Sequence, residues 1–164
     1  MLVMRNDNQI FSLDYNPFKR IRTICTFDPE KKSTDFFTSI SSERELYSKI
    51  IDYSEIKEIF KIEFFATLKD ISCHNEYFVV KNISGNIVSL FHYGGELLDW
   101  TITGKDEYDK DVKVSEIDKF YIKKTSYSIE ENSKGKNKII NEEYIEVSFE
   151  EFLQLRDKYD ESKI

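Results

Sequence analysis

The stretch that decides the fold is Tyr77-Phe78-Val79-Val80-Lys81-Asn82-Ile83-Ser84-Gly85-Asn86-Ile87-Val88-Ser89-Leu90-Phe91-His92-Tyr93-Gly94-Gly95. Apolar residues alternate on both sides of Gly85, and a second reversal is offered by Gly94-Gly95, so the pattern reads as hairpins joined by tight turns. A three-strand antiparallel meander over about residues 76–103 is predicted. With Ile83 opposite Ile87, the cross-strand pairs become Lys81 with Ser89, Val79 with Phe91 and Tyr77 with Tyr93. A Gly-Gly turn then sets Leu98 opposite Phe91, Trp100 opposite Ser89 and Ile102 opposite Ile87. A slip of one residue exchanges the two faces of a strand. This register makes the face with Tyr77, Val79, Ile83, Phe91 and Trp100 the core face. The reverse face, with Phe78, Val80, Val88, Leu90 and His92, is expected to be partly covered.

Outward from the meander, Lys119 to Ile129 and Lys138 to Val147 read as a second, longer hairpin. The polar stretch Glu130 to Asn137, which contains Gly135, forms its tip and is expected to project as an arm. Ser42-x-x-Glu45 has the form of a capping box ahead of Leu46, Tyr47, Ile50 and Ile51, and predicts a helix near 43–53. Ser148-x-x-Glu151 repeats the device ahead of Phe149, Phe152, Leu153 and Arg156, and predicts a C-terminal helix near 149–160. Residues 54–70 fit both periodicities and are assigned a short helix to about 59, then a strand. Gln9 to Tyr15 and Arg20 to Phe27 read as strands that end at Asn16-Pro17 and Asp28-Pro29. The charged segment Gly104 to Glu116 reads as a surface loop. The expected class is α+β, an antiparallel sheet packed with two helices in a single domain, 1–164.

The chain has 164 residues, the size of one ordinary core. Its 31 acidic residues against 24 basic give a net charge of −7, which disfavours nonspecific contact with phosphate backbones. The two cysteines, Cys25 and Cys73, lack a C-x-x-C spacing, and no secretion signal or run of 18 apolar residues appears, so a cytoplasmic protein with no membrane segment is expected.

Nucleotide-binding, hydrolase and zinc-protease signatures are all absent from the sequence. No catalytic group, metal site or cofactor is therefore expected. Three constellations nevertheless offer chemistry. His74, Glu76 and His92, with Cys73 adjacent, bring acid/base residue types near one end of the meander, although His74 and His92 stand about 13 Å apart along a sheet at the usual strand rise. Asp106, Asp109, Asp111 and Glu116 cluster carboxylates but depart from the alternation of a calcium loop. Arg20 and Arg22, with Phe18 and Phe27, form a short basic-aromatic patch of the kind that binds single-stranded nucleic acid.

Acidity, small size and abundant Tyr and Phe favour a protein-binding inhibitor. Examples are an immunity protein that neutralises a toxin, or a phage-type inhibitor of a host nuclease defence system. Its partner would be a basic protein, a nuclease or toxin, engaged without direct contact to nucleic acid or membrane. Carboxylates facing a positive groove would steer association and compete with phosphate. The candidates are Asp106, Glu107, Asp109 and Asp111 on the charged loop, and Glu130, Glu131, Glu142 and Glu143 around the arm. A small enzyme using His74, Glu76 and His92, and a homo-oligomeric structural subunit, are the alternatives.

Overall fold

A computed structural model describes residues 1–16, 21–41, 43–70, 76–94, 99–131 and 137–160. Among these, twelve strands and one α-helix are present. In chain order the strands are β1 (Leu2–Arg5), β2 (Ile10–Asn16), β3 (Ile21–Thr26), β4 (Phe37–Ser41), β5 (Arg44–Ile50), β6 (Ile56–Leu68), β7 (Phe78–Ser84), β8 (Ile87–Tyr93), β9 (Thr101–Gly104), β10 (Glu107–Lys113), β11 (Ile117–Glu131) and β12 (Asn137–Val147), followed by helix α1 (Phe149–Lys158). The class is α+β, strongly weighted to antiparallel sheet.

The chain divides into two compact units. Unit 1 comprises residues 1–62, 124–143 and 156–164, and unit 2 comprises 63–123 and 144–155. In unit 1 the strands run β4-β5-β3-β2-β1-β6, and β11 pairs with both β6 and β12. Leu2 and Val3 are both buried although they point to opposite faces, as expected of an inner strand covered on both sides. Val3 joins Phe11, Ile24, Tyr47, Ile56 and Ile59 in one cluster, and Leu2 meets Phe60 in another, where Tyr159 packs edge-on to Phe60 at 6.0 Å.

The predicted helix near 43–53 is overturned. Arg44 to Ile50 form β5, which pairs with β4 from Ser41↔Arg44 to Phe37↔Ser48 and with β3 from Thr23↔Ile50 to Thr26↔Tyr47. Only Tyr47 and Ile51 of the four apolar residues are buried. They stand four positions apart, a spacing that keeps one face in a strand as well as in a helix, so the periodicity does not separate the two. The short helix expected to about 59 is likewise replaced. A 3-10 turn at Tyr53–Glu55, capped by Asp52, leads directly into β6.

In unit 2 the order is β6-β7-β8-β10-β9. The hairpin of β7 and β8 turns at Gly85, whose φ of 58° suits glycine, with Ser84 opposite Ile87. Val79 does face Phe91. A bulge between Val80 and Asn82 then shifts the rest, so that Asn82 meets Ser89 and Ile83 meets Val88. The third strand of the meander is β10. Tyr108, Asp109, Lys110 and Val112 lie opposite His92, Phe91, Leu90 and Val88, displacing the expected partners Leu98, Trp100 and Ile102. The segment 104–116 is therefore not a loop, and β9 pairs with β10 instead of β8. Gly95, Leu97 and Leu98 lie outside the described residues.

The core face is also the reverse of the expected one. Phe78, Val80, Val88 and Leu90 are buried with Trp100, Tyr108 and Val112, whereas Tyr77 and Tyr93 are exposed. The decisive residues are Tyr108 and Val112, which add two apolar side chains to this face while Asp109 and Asp111 occupy the other. Phe152 of α1 closes the cluster against Phe64 at 5.3 Å and Phe120 at 4.7 Å. The Ser148 hydroxyl accepts from the Glu151 amide at 3.2 Å, so Ser148 caps the start of the C-terminal helix. The long hairpin is formed by β11 and β12. The tip from Asn132 to Lys136 lies outside the described residues.

Candidate interaction face on the acidic unit

Formal charge is unevenly divided between the units. Unit 1 holds 17 acidic and 17 basic residues and unit 2 holds 14 acidic and 7 basic, so the entire −7 resides in unit 2. Its strands turn one face to the Phe78 core and the other outward. The outward face can be traced across the sheet by register, from Phe65 to Val79, Phe91, Asp109 and Thr101.

Two columns stand side by side on that face. On β10, residues 107, 109 and 111 all point outward and present Glu107, Asp109 and Asp111. On β8 their partners are Tyr93, Phe91 and Ser89. Tyr93 is 69% exposed, so the aromatic column is open to solvent. Lys81 bridges the columns, with its Nζ 2.8 Å from Asp109 Oδ2 and 5.5 Å from the centre of the Phe91 ring. The Ser89 hydroxyl donates to Asp111 Oδ1 at 2.6 Å. Asp106 occupies the β9–β10 turn at φ 59° and is exposed, and its carbonyl accepts from the Gly94 amide at 2.8 Å. Asp106, Glu107, Asp109 and Asp111 are thus brought together, on a strand and its turn.

Farther along the same unit, Tyr77 packs on Tyr121 at 5.0 Å and on Tyr144 at 4.8 Å, and Phe65 lies 5.7 Å from Tyr144. Lys123 Nζ lies 5.6 Å above the Tyr144 ring, and Lys119 is paired with Glu146 at 2.8 Å. The hydrogen bond to Glu146 holds the Lys119 ammonium above its ordinary pKa, and burial raises the Tyr121 phenol. Sequence reasoning missed this tyrosine cluster. Its signal was the alternation in β11 of buried Phe120 and Ile122 with outward Lys119, Tyr121 and Lys123.

The remaining acidic candidates fall in unit 1. Glu130, Glu142 and Glu143 are exposed, with Glu142 accepting from the Thr125 hydroxyl at 3.4 Å. Glu131 ends β11. Their unit holds equal numbers of acidic and basic residues.

The other constellations are placed only in part, since some of their residues fall outside the described residues. His92 packs on Phe78 at 5.4 Å, with its Nε2 3.8 Å from Glu76 Oε2. His74 and Cys73 are outside the described residues. Glu116 Oε2 accepts from the Lys113 amide at 2.8 Å, in the 3-10 turn Val114–Glu116 that follows β10. Among the described residues, no group of three His, Cys, Asp or Glu side chains is placed to hold a metal ion. Arg22 is buried, not part of a basic surface, and its guanidinium donates to Asn137 Oδ1 at 3.1 Å and lies 4.7 Å above the Tyr53 ring. Phe18, Lys19 and Arg20 are outside the described residues. Burial and the nearby Asp14 carboxylate push the Cys25 thiol up. No helix among the described residues is long and apolar enough to cross a membrane.

No family model matches this chain, and neither a curated protein nor a solved structure is significantly similar to it.

Proposed function

We propose that this protein is a protein-binding inhibitor that engages a basic partner, a nuclease or toxin, through the outward face of unit 2. The observation that carries this reading is the confinement of the whole net charge to that unit, where Glu107, Asp109 and Asp111 line up beside Tyr93 and Phe91. Carboxylates in a column steer a positive groove into register and raise the association rate. Adjacent aromatic rings supply the apolar anchors that hold the complex once water has left. The acidic residues around the arm, Glu130, Glu131, Glu142 and Glu143, belong to a unit of zero net charge and contribute less.

The test is affinity capture from the cytosol of the source or host at low and high salt. It compares the unaltered chain with Asp106→Lys/Glu107→Lys and with Glu142→Lys/Glu143→Lys. A stoichiometric basic partner that is lost at high salt and with the first variant, but kept with the second, supports the reading. Capture indifferent to salt, or lost only with the second variant, rejects it.

A second reading, a small enzyme built on His74, Glu76 and His92, draws on the approach of His92 to Glu76. Under that reading His92→Ala abolishes turnover at unchanged stability. An unchanged rate would end it.

A further inference from the structure

Among the described residues, strand β12 (Asn137–Val147) pairs only with β11, so no described strand lies along its other edge. The other outer strands are short, β4 with five residues and β9 with four, whereas β12 has eleven. Natural sheets blunt long edges with proline, bulges, covering loops or charged side chains, and β12 carries Lys138, Glu142, Glu143 and Glu146. In β12 there is no proline. Nine successive residues, Lys138 to Glu146, are exposed, among them Ile139, Ile140, Tyr144 and Ile145. Pairing another strand here would set these four apolar side chains against cross-strand neighbours.

The residue order identifies the occupant. When Lys138-Ile139-Ile140-Asn141-Glu142-Glu143-Tyr144-Ile145-Glu146 is laid antiparallel against itself about Glu142, each residue meets a fitting partner. Lys138 faces Glu146, Ile139 faces Ile145, Ile140 faces Tyr144 and Asn141 faces Glu143. By symmetry every one of these pairs occurs twice. All four exposed apolar residues are matched to apolar residues, and the only lysine is matched to a glutamate. The one like-charge pair is Glu142 with its own copy, which opposes the pairing against two Lys138–Glu146 pairs and four apolar pairs that favour it. Shifting the dyad by one residue, to Asn141, sets Ile139 against Glu143 and Ile140 against Glu142. The complementarity therefore belongs to a single register.

We infer that the protein is a homodimer in which the β12 strands of two copies pair antiparallel about Glu142. The two-fold axis passes through the Glu142 pair, so the contact is isologous and closes at two copies. The inference does not depend on the proposed inhibitor function, since its readouts are mass and cross-linking alone.

The test measures molar mass by light scattering and sedimentation over a concentration series. The expected mass is that of two chains, and a monomer at all concentrations up to hundreds of micromolar overturns the inference. Lys138→Glu, which sets glutamate against Glu146 twice, weakens dimerisation roughly tenfold or more. Because Glu146 also pairs with Lys119 of its own chain at 2.8 Å, the rescue is the triple variant Lys119→Glu/Lys138→Glu/Glu146→Lys, which keeps opposite charges at both contacts and restores dimerisation. Equal weakening in the single and triple variants would overturn the pairing. Register is read by cysteine cross-linking. Glu142→Cys forms a disulfide with its copy under mild oxidation and Ile140→Cys does not, whereas the reverse outcome rejects the dyad at Glu142. Circular dichroism of each variant separates loss of pairing from loss of folding.

Discussion

Replacing Phe78 with alanine tests which face of the meander is the core, and Phe91→Ala is the matched control on the facing strand. Phe78 is fully buried, with its ring 4.8 Å from Trp100 and 5.4 Å from His92. Truncating a ring in such a site costs about 3–5 kcal/mol, the transfer of the ring plus the cavity left behind. Phe91 is only half-buried, on the outward face under Lys81. Its removal forfeits partial burial and a cation–π contact of about 0.5–1 kcal/mol, together about 1–1.5 kcal/mol. The assay is urea unfolding followed by tryptophan fluorescence. Trp100 is the only tryptophan and packs on Phe78, so the signal reports unit 2. At an m-value of about 2 kcal/mol/M, the Phe78 variant unfolds about 1 M or more before the Phe91 variant. Equal midpoints, or the opposite order, would refute the assignment of faces.

Two further predictions concern unit 1. Hydrogen bonds from Lys49 and Ser33 draw the Asp35 carboxyl from 3.8 down to about 2. Because folding lowers this pKa, the stabilisation it brings is present above the unfolded value of 3.8 and disappears as pH falls toward about 2. An NMR titration should place the Asp35 midpoint near the lower value and find it raised in Lys49→Met, and a wild-type midpoint at 3.8 would remove the basis for this. Glu43, in the turn between β4 and β5, holds φ at 65°, a conformation costly for a residue with a Cβ. Glu43→Gly should therefore stabilise the protein by about 1 kcal/mol in the same unfolding assay, despite the greater freedom glycine has when unfolded; a loss of stability would show that the turn is not strained.

Where one periodicity ran without interruption, the sequence was readable. Phe120 and Ile122 alternate with Lys119, Tyr121 and Lys123 in the middle of β11, and the Ser148 cap marks the start of α1. Where residues lie four apart the pattern serves both structures, and Tyr47 with Ile51 passed for a helix face. The faces of the meander were undecided for a different reason. Both Val79 with Phe91 and Val80 with Leu90 are apolar pairs, and the tie is broken by Tyr108 and Val112 on a strand that looked like a loop because of its charges. The same error concealed the site. The acidic residues were visible as residue types, but their alignment beside Tyr93 and Phe91 follows from the β8–β10 pairing, a long-range contact that local spacing does not encode.

The threading of the two units also sets an order of events during synthesis. Unit 2 begins at Glu63, inside β6, before unit 1 is complete, and unit 1 resumes only at Lys124. The first cluster of unit 1 needs Tyr127 and Ile129 from β11 as packing partners. At about 5–20 residues per second, a ribosome leaves the first 62 residues waiting several seconds for that strand. During the interval β6 has one flank without its β11 neighbour, and a nascent chain stalled between residues 63 and 123 would expose that flank to chaperones or to other nascent chains. Slow codons are therefore best tolerated after Glu143, when every strand of unit 1 has emerged.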